Sequence, residues 1–166
     1  SGTPEVAVPQ VTGSGTATRT VRVTGSGNGV VRISIADGTA TDQAGNQAAA
    51  AGPSNNATID NTAPSIVVGP ITPASGFIKN NETIQIAMTV TEALSGLASG
   101  SPAVTIGGRP ATVTGTLPNL TASYTIPAGE STLTEGELQY TINASDNANN
   151  IMTEISASTE VVYDRT

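Results

Sequence analysis

Short runs of alternating apolar and polar residues recur along the chain, and they limit the possible fold more than any other feature. Clear examples are residues 30–35 (VVRISI), 83–90 (TIQIAMTV) and 137–142 (ELQYTI), which carry Ile, Val, Leu, Met or Tyr at every second position. Gly, Pro and Asn separate such runs at intervals of roughly eight to twelve residues, as in all-β sandwiches. No window of comparable length has a helical stripe of apolar residues. The sequence therefore predicts an all-β protein of antiparallel sheets, half buried on one face.

The chain also repeats itself at an offset close to 104 positions. Four segments match in the same order, namely 1–6 (SGTPEV) with 99–104 (SGSPAV), 29–35 (GVVRISI) with 136–142 (GELQYTI), 42–46 (DQAGN) with 146–150 (DNANN), and 60–62 (DNT) with 164–166 (DRT). Chance agreement across four ordered segments is improbable. We therefore interpret the chain as tandem sandwich domains of roughly 100 residues each.

The repeat sets the predicted domain bounds. Residues 65–166 form one complete repeat, residues 60–64 form a linker, and residues 1–59 form the C-terminal portion of an earlier repeat. The strands of the complete repeat are predicted near 65–69, 83–91, 103–106, 110–114, 121–126, 137–145 and 155–163. The earlier copy lacks the first two of these strands, because residues 64–98 have no counterpart before Ser1. An open sandwich exposes core and sheet edges, so we expect either a preceding segment or another chain to supply the missing strands.

Two motifs mark the later part of the first copy, residues 35–46 (IADGTATDQAGN) and residues 59–64 (IDNTAP). These motifs resemble the bacterial Ig-like repeats of large cell-surface adhesins. Such repeats typically end a strand in Thr/Ser-Asp-x-Ala-Gly-Asn and continue into the next repeat through Asp-x-Thr-x-Pro. Residues 91–97 (TEALSGL) look like the turn after their second strand. The resemblance covers nearly the whole chain, and it implies tandem immunoglobulin-like β-sandwiches, the first lacking its two N-terminal strands, at a bacterial cell surface.

The amino-acid composition excludes several kinds of chemistry. The chain has no Cys and no His, which rules out a thiolate nucleophile, an imidazole base, and zinc, haem or iron–sulfur sites with their usual ligands. Six Lys and Arg against thirteen Asp and Glu give a formal charge of −7, which disfavours nucleic-acid binding. No apolar run approaches the ~18 residues of a membrane span, and we expect no direct membrane contact. Glu135 and Glu137 are interpreted as a solvated strand edge rather than an acid/base pair, so no enzymatic activity is predicted.

Acidic and amide side chains are predicted to gather at one end of the complete repeat. An immunoglobulin-like sandwich brings its N-terminus, the loop after its second strand and the turn between its last two strands to the same end. The candidate ligands from these three segments are Asp60, Asn61, Glu92, Asp146 and Asn150. Oxygen ligands of this kind suit Ca²⁺, which takes roughly six to eight of them. A bound Ca²⁺ would stiffen the junction between the two copies.

The same side chains also fit a simpler role. Asp42 and Asp146 each begin a turn, and Asx residues in turns commonly accept hydrogen bonds from backbone N–H groups that follow them. Asp60 precedes an extended Thr-Ala-Pro segment, and it equally fits a solvated linker stiffened by Pro64. The sequence leaves Ca²⁺ binding and turn capping without a cofactor as two open alternatives.

The repeat pattern is consistent with three different functions. The first is a structural spacer or stalk in an extracellular bacterial adhesin, whose partners are neighbouring repeats of the same or an adjacent chain. The second is a subunit of an extracellular fibre, in which a neighbouring chain donates the two missing strands. The third is an accessory module of a secreted protein that binds a ligand such as carbohydrate. That module needs exposed aromatic side chains, and Phe77, predicted in an exposed loop before a strand, is the one plausible candidate.

Overall fold

Strands and turns make up the described parts of the molecule, which are residues 4–12 and 18–165 of a computed structural model. Those residues contain no helix, which confirms the prediction of an all-β protein. The described residues include no helix that is long and apolar enough to cross a membrane. The chain divides into two compact units, Ser1–Thr62 and Ala63–Thr166, and the division lies within the linker predicted at residues 60–64.

The strands of the first unit are short, and those of the second are mostly longer. In the first unit they are β1 (Glu5–Val6), β2 (Gln10–Thr12), β3 (Thr20–Arg22), β4 (Gly25–Ser26), β5 (Gly29–Val31) and β6 (Ala57–Ile59). In the second unit they are β7 (Ser65–Thr72), β8 (Gly76–Ile78), β9 (Thr83–Thr91), β10 (Ala103–Ile106), β11 (Arg109–Pro110), β12 (Thr112–Thr116), β13 (Asn119–Thr125), β14 (Gly136–Asn143) and β15 (Ile155–Tyr163).

The second unit is a sandwich of two β-sheets. One sheet has four strands in the order β12-β13-β9-β7, and the other has five in the order β11-β10-β14-β15-β8. Apolar side chains of both sheets form one hydrophobic core, to which β9 contributes Ile84, Ile86, Met88 and Val90. These four residues occupy alternate positions of β9 and are at most 2% exposed. Burial with a period of two is the pattern that packs one sheet against another.

Sequence periodicity predicts most strands of the second unit correctly and misses one. The predicted strands that have the same bounds in the structure are 83–91, 103–106 and 155–163. β8, by contrast, lies where an exposed loop is predicted around Phe77, and it pairs in parallel with β15. A strand of three residues is too short to show alternation, and polar residues 79–81 follow it directly, so its pattern could not indicate a strand. The strand predicted at 110–114 is divided between β11 and β12.

The first unit consists of three two-stranded sheets, formed by β1 with β4, β2 with β3, and β5 with β6. None of its described apolar side chains is buried, and several are exposed, including Val8 at 89% and Val11 at 61%. Asp60 is the only buried residue among those that the structure describes in this unit. Because two-stranded sheets are marginally stable by themselves, the hydrophobic core of the second unit is the main source of stability in the described residues.

Segments that match in sequence form corresponding hairpins in the two units. Gly29 pairs with Ile59 in the β5–β6 hairpin, and Gly136 pairs with Tyr163 in the β14–β15 hairpin. Both members of the first pair match the members of the second in the sequence repeat. The β2–β3 pair lies between the matched segments 1–6 and 29–35, as the β12–β13 pair lies between their counterparts 99–104 and 136–142. The units therefore share strand pairs, although the described residues of the first unit have no closed core.

Candidate metal site

The turn of residues 145–151 places a fully buried carboxylate, that of Asp146, after β14. Its Oδ1 accepts hydrogen bonds from the backbone N–H groups of Ala148 and Asn150, each at 2.8 Å. Its Oδ2 accepts a third hydrogen bond from Nδ2 of Asn150 at 2.7 Å. Asn149 has a positive φ of 67° in this turn, a conformation that Asn adopts more readily than most residues. The carboxylate therefore organises its own turn.

The loop after β9 lies against this turn. Glu92 orders the loop, since its Oε1 accepts a hydrogen bond from the backbone N–H of Ser95 at 3.2 Å. Asn147 joins the loop to the turn: its backbone N–H donates to the carbonyl of Gly96 at 2.9 Å, and its Nδ2 donates to the carbonyl of Ser95 at 2.9 Å. These bonds hold the two segments together, and the side chains of Glu92 and Asp146 converge as a result.

The carboxylates of Glu92 and Asp146 approach each other at this end of the second unit, with one oxygen of each within 4.8 Å of the other. The second unit begins next to these carboxylates, because Ser65 at the start of β7 pairs with Thr91, the residue before Glu92. Asp60 lies three positions before the first residue of the unit. The three carboxylates that the sequence predicts as metal ligands, Asp60, Glu92 and Asp146, are called the acidic trio below; Glu92 and Asp146 belong to the second unit, and Asp60 belongs to the first.

The two amide residues predicted as ligands have hydrogen bonds of their own. Asn150 donates to Asp146 and therefore lies next to the acidic trio. Asn61 uses its side chain within the first unit, where its Nδ2 donates to the carbonyl of Gly27 at 2.6 Å. The backbone N–H of Asn61 donates to Oδ1 of Asn28 at 2.8 Å. Asn61 and Asn150 stay predictions as metal ligands.

The surroundings of Asp146 set its charge. Burial acts to raise the pKa of Asp146, but hydrogen bonds from the side chain and backbone N–H of Asn150, and from the backbone N–H of Ala148, hold the pKa below its ordinary value. The carboxylate is therefore ionised at neutral pH although it is shielded from solvent. A buried negative charge beside a second carboxylate is an arrangement that a cation stabilises.

The corresponding turn of the first unit has the same hydrogen bonds. Oδ1 of Asp42 accepts from the backbone N–H groups of Ala44 and Asn46, each at 2.9 Å, and Oδ2 accepts from Nδ2 of Asn46 at 2.9 Å. The side chain of Asn46 and then its backbone N–H lower the pKa of Asp42. Turn capping therefore occurs in both units, whereas the acidic trio includes only the Asp146 turn.

Sequence reasoning misses one structured carboxylate, that of Glu130. Its Oε1 accepts hydrogen bonds from the backbone N–H groups of Thr132 at 2.6 Å and Leu133 at 2.8 Å, and Nη2 of Arg109 lies 3.6 Å away. The hydroxyl and the backbone N–H of Thr132, followed by the N–H of Leu133, lower the pKa of Glu130 to about 2. The signal available in the sequence is a carboxylate two residues before a Thr in a Gly-containing connection.

The residues considered for catalysis or sugar binding have separate partners. Glu135 forms an ion pair with Arg165 at 3.5 Å, and Glu137 accepts a hydrogen bond from Ser158. Phe77 is 76% exposed on β8, whereas the three tyrosines of the chain are buried or half-buried. The second unit therefore presents one exposed aromatic ring and no aromatic cluster among its described residues.

No family model and no curated protein matches the chain. Among solved structures, the SrpA adhesin from Streptococcus sanguinis has 16% sequence identity and a TM-score of 0.41, and the match covers 63% of this chain and 59% of that one. A mutant of the same adhesin has 15% identity and a TM-score of 0.40, with 63% and 61% covered. The chain thus spans about three fifths of the length of each, and a likeness at these values carries no conclusion about function.

Proposed function

We propose that the chain forms immunoglobulin-like spacer repeats in the stalk of an extracellular bacterial adhesin, and that it has no enzymatic activity. The observation that carries this proposal is the position of the two chain ends of the second unit. At the start of the unit, Ser65 pairs with Thr91, the last residue of β9. At the end of the unit, Tyr163 pairs with Ile78, which lies shortly before the first residue of β9.

Chain ends at opposite ends of a sandwich suit a linear array. β9 has nine residues, and at about 3.3 Å per residue it separates the two ends by roughly 25–30 Å. Repeats connected in this way extend an array by about their own length, and each repeat contacts mainly its neighbours. Copies joined in series would therefore form a rod rather than a cluster.

The strand order supports the immunoglobulin-like part of the proposal. In constant-type immunoglobulin sandwiches the first, second, fifth and fourth strands form one sheet, and the third, sixth and seventh form the other. The order β7-β9-β13-β12 follows the first scheme, and β10-β14-β15 follows the second, with β8 and β11 as short additions at the edges. The corresponding hairpins of the first unit support a tandem arrangement.

The proposal also assigns Ca²⁺ to the acidic trio of Asp60, Glu92 and Asp146. Ca²⁺ accepts irregular sets of roughly six to eight oxygen ligands, which carboxylates, loop amides and water can supply together. Residues 164–166 repeat the motif of residues 60–62, so each junction of an array would contain the same carboxylate. A cation at each junction would restrict the motion between neighbouring repeats and keep the stalk extended.

Small-angle X-ray scattering of concatenated copies of residues 63–166 tests the spacer role. This segment has its own core, so one, two and three copies are comparable samples. The maximum dimension should grow by a constant increment of roughly 30–40 Å for each added copy. A maximum dimension that grows much more slowly, as expected for copies packed side by side, would contradict the spacer role.

Calorimetric titration with Ca²⁺ tests the metal assignment separately. The full chain should release or absorb heat on binding, and Glu92→Gln should weaken the affinity by about tenfold or more. Gln retains an oxygen that can accept the hydrogen bond from Ser95, so the loop should stay folded. Asp42→Asn is the matched control, because it alters the same kind of turn outside the acidic trio. Absence of heat with the unmodified chain would exclude Ca²⁺ and leave the spacer role intact.

A further inference from the structure

The first unit contains the one Asn-Gly sequence of the chain, at Asn28 and Gly29. Asn28 lies in the connection between β4 and β5, and both residues are half-buried, so water reaches them. In an Asn-Gly sequence the side-chain amide is open to attack by the next backbone nitrogen, because Gly has no Cβ to obstruct the approach. Gly29 also has a positive φ of 149°, a conformation that residues with a side chain rarely adopt. Both the backbone and the chemistry of this site therefore depend on glycine.

The side chain of Asn28 holds the end of the first unit. Its Oδ1 accepts a hydrogen bond from the backbone N–H of Asn61 at 2.8 Å, and its Nδ2 donates to the hydroxyl of Thr62. Nδ2 of Asn61 in turn donates to the carbonyl of Gly27 at 2.6 Å. These three hydrogen bonds, called the exit clamp below, join the connection before β5 to the residues at which the unit ends.

The second unit has a corresponding contact that is built on a carboxylate. In the sequence repeat, Glu135 takes the place of Asn28, and Arg165 takes the place of Asn61. Oε1 of Glu135 accepts a hydrogen bond from the backbone N–H of Arg165 at 3.1 Å, and Nε of Arg165 lies 3.5 Å from the same oxygen. An acid at this position therefore accepts the same backbone hydrogen bond as an amide.

We propose that Asn28 is a site of spontaneous deamidation, which converts the amide of the exit clamp into a carboxylate like that of Glu135. The backbone nitrogen of Gly29 attacks Cγ of Asn28 and gives up its proton. The N–Cγ bond forms, the Cγ–Nδ2 bond breaks, and Nδ2 leaves with that proton as ammonia. Water then opens the resulting succinimide at either of its carbonyl carbons, which gives aspartate or isoaspartate. The net reaction consumes water and releases ammonia, and it needs no other reactant.

Two contacts of the exit clamp favour this reaction. Negative charge develops on Oδ1 when Cγ is attacked, and the N–H of Asn61 already donates to that oxygen, as a donor that stabilises an oxyanion must. The hydroxyl of Thr62 lies against Nδ2, where it can pass a proton to the departing nitrogen, because a hydroxyl both donates and accepts. Asn46, whose side chain is also hydrogen-bonded, is followed by Gln rather than Gly.

The two products should affect the exit clamp differently. Oδ1 of an aspartate still accepts from the N–H of Asn61, and its Oδ2 accepts from the hydroxyl of Thr62, so the bond to Thr62 reverses its direction. Isoaspartate instead moves a methylene group into the main chain, which displaces the carboxylate from both partners. Either product adds a negative charge at the end of the first unit.

Peptide mass spectrometry of the full chain during storage at mildly alkaline pH tests the proposal. Trypsin releases residues 23–32, in which Asn28 is the only Asn. This peptide should gain the mass difference between an acid and an amide about tenfold or more faster than peptides whose Asn is not followed by Gly. Asn28→Gln is the control, because its amide would have to close a larger ring and should stay unmodified.

The same chain unfolded in urea shows what the Asn-Gly sequence does without the exit clamp. Deamidation of Asn28 should be at least as fast in the folded chain as in urea. An unmodified peptide from the folded chain, or a rate well below that in urea, would overturn the proposal, because the exit clamp would then protect the amide.

Hydrogen exchange of the Asn61 amide tests the effect of the products. The Asn28→Asp variant should protect this amide as the unmodified chain does, whereas the isoaspartate form should exchange it about tenfold or more faster. Equal exchange in Asn28→Asp and the isoaspartate form would overturn the assignment of different effects to the two products. None of these outcomes affects the scattering test of the spacer role, which uses the second unit alone.

Discussion

The turns that begin at Asp42 and Asp146 are the same local structure in different surroundings. Each aspartate uses Oδ1 for two backbone N–H groups and Oδ2 for the Asn side chain four residues later. Asp42 is exposed, whereas Asp146 is fully buried against the loop after β9. Five residues are therefore enough to specify the turn, and the sandwich around the turn determines whether its carboxylate meets a second one.

The difference between the units is largest for matched core positions. Ile142 is fully buried, whereas Ile35, which the repeat matches to it, is 44% exposed. Ile142→Ala should destabilise the second unit by about 2–5 kcal/mol, because it removes buried methyl groups and leaves a cavity. Ile35→Ala should change the free energy of unfolding by less than about 0.5 kcal/mol. Urea unfolding followed by circular dichroism measures both. Equal losses of unfolding free energy in the two variants would mean that the first unit also has a core in solution, and that the two units do not differ at these positions.

Removal of the capping carboxylate should also cost more stability at Asp146 than at Asp42, but the difference should be smaller than that between Ile142 and Ile35. Asp146→Ala leaves the N–H groups of Ala148 and Asn150 without their acceptor inside the protein, whereas the corresponding groups beside Asp42 can turn to water. We expect Asp146→Ala to lower the melting temperature of the second unit by several degrees and Asp42→Ala to leave it unchanged. Calorimetric melting curves without added Ca²⁺ separate this effect from metal binding. An unchanged melting temperature in Asp146→Ala would show that burial does not increase the contribution of this turn to stability.

Acid should affect the second unit through Glu130. Hydrogen bonds from Thr132 and Leu133 lower the pKa of Glu130 from its ordinary value of 4.5 to about 2. Because the pKa is lower in the folded state, the ionised carboxylate stabilises the unit fully above about pH 4.5, and the contribution is lost as the pH falls towards 2. Glu130→Gln should lower the melting temperature at pH 7 and reduce its dependence on pH in that window. Glu135→Gln is the control, and an equal effect of both substitutions would contradict the role of Glu130.

The sequence predicts those features that depend on local pattern. Alternation places β9 and β15 within their observed bounds, and the Asp-x-x-x-Asn spacing indicates the turn at residue 146. β8 is missed because a three-residue strand gains its stability from pairing with β15, which is about 85 positions away. Glu130 is missed because two of its hydrogen bonds come from backbone N–H groups, and the remaining signal, a Thr two residues later in a Gly-containing connection, is short and common in turns. The convergence of Glu92 with Asp146 follows from sandwich topology, but the use of the Asn61 side chain within the first unit depends on a contact with Gly27 that no pattern indicates.

The smallest expected effect concerns the backbone of β15. Glu160 has a positive φ of 61° at the irregularity where the pairing of β15 with β14 shifts register. The left-handed conformation costs a residue with a side chain about 1–2 kcal/mol, and Gly avoids this cost while losing somewhat more entropy on folding. Glu160→Gly should therefore stabilise the second unit by about 0.5–1 kcal/mol in urea unfolding. Asn56, its counterpart at the repeat offset, is not among the described residues with positive φ, so Asn56→Gly should give no such gain. If Glu160→Gly destabilised the unit, the register shift would depend on the Glu side chain rather than on backbone conformation, and the two units would differ there in side-chain contacts.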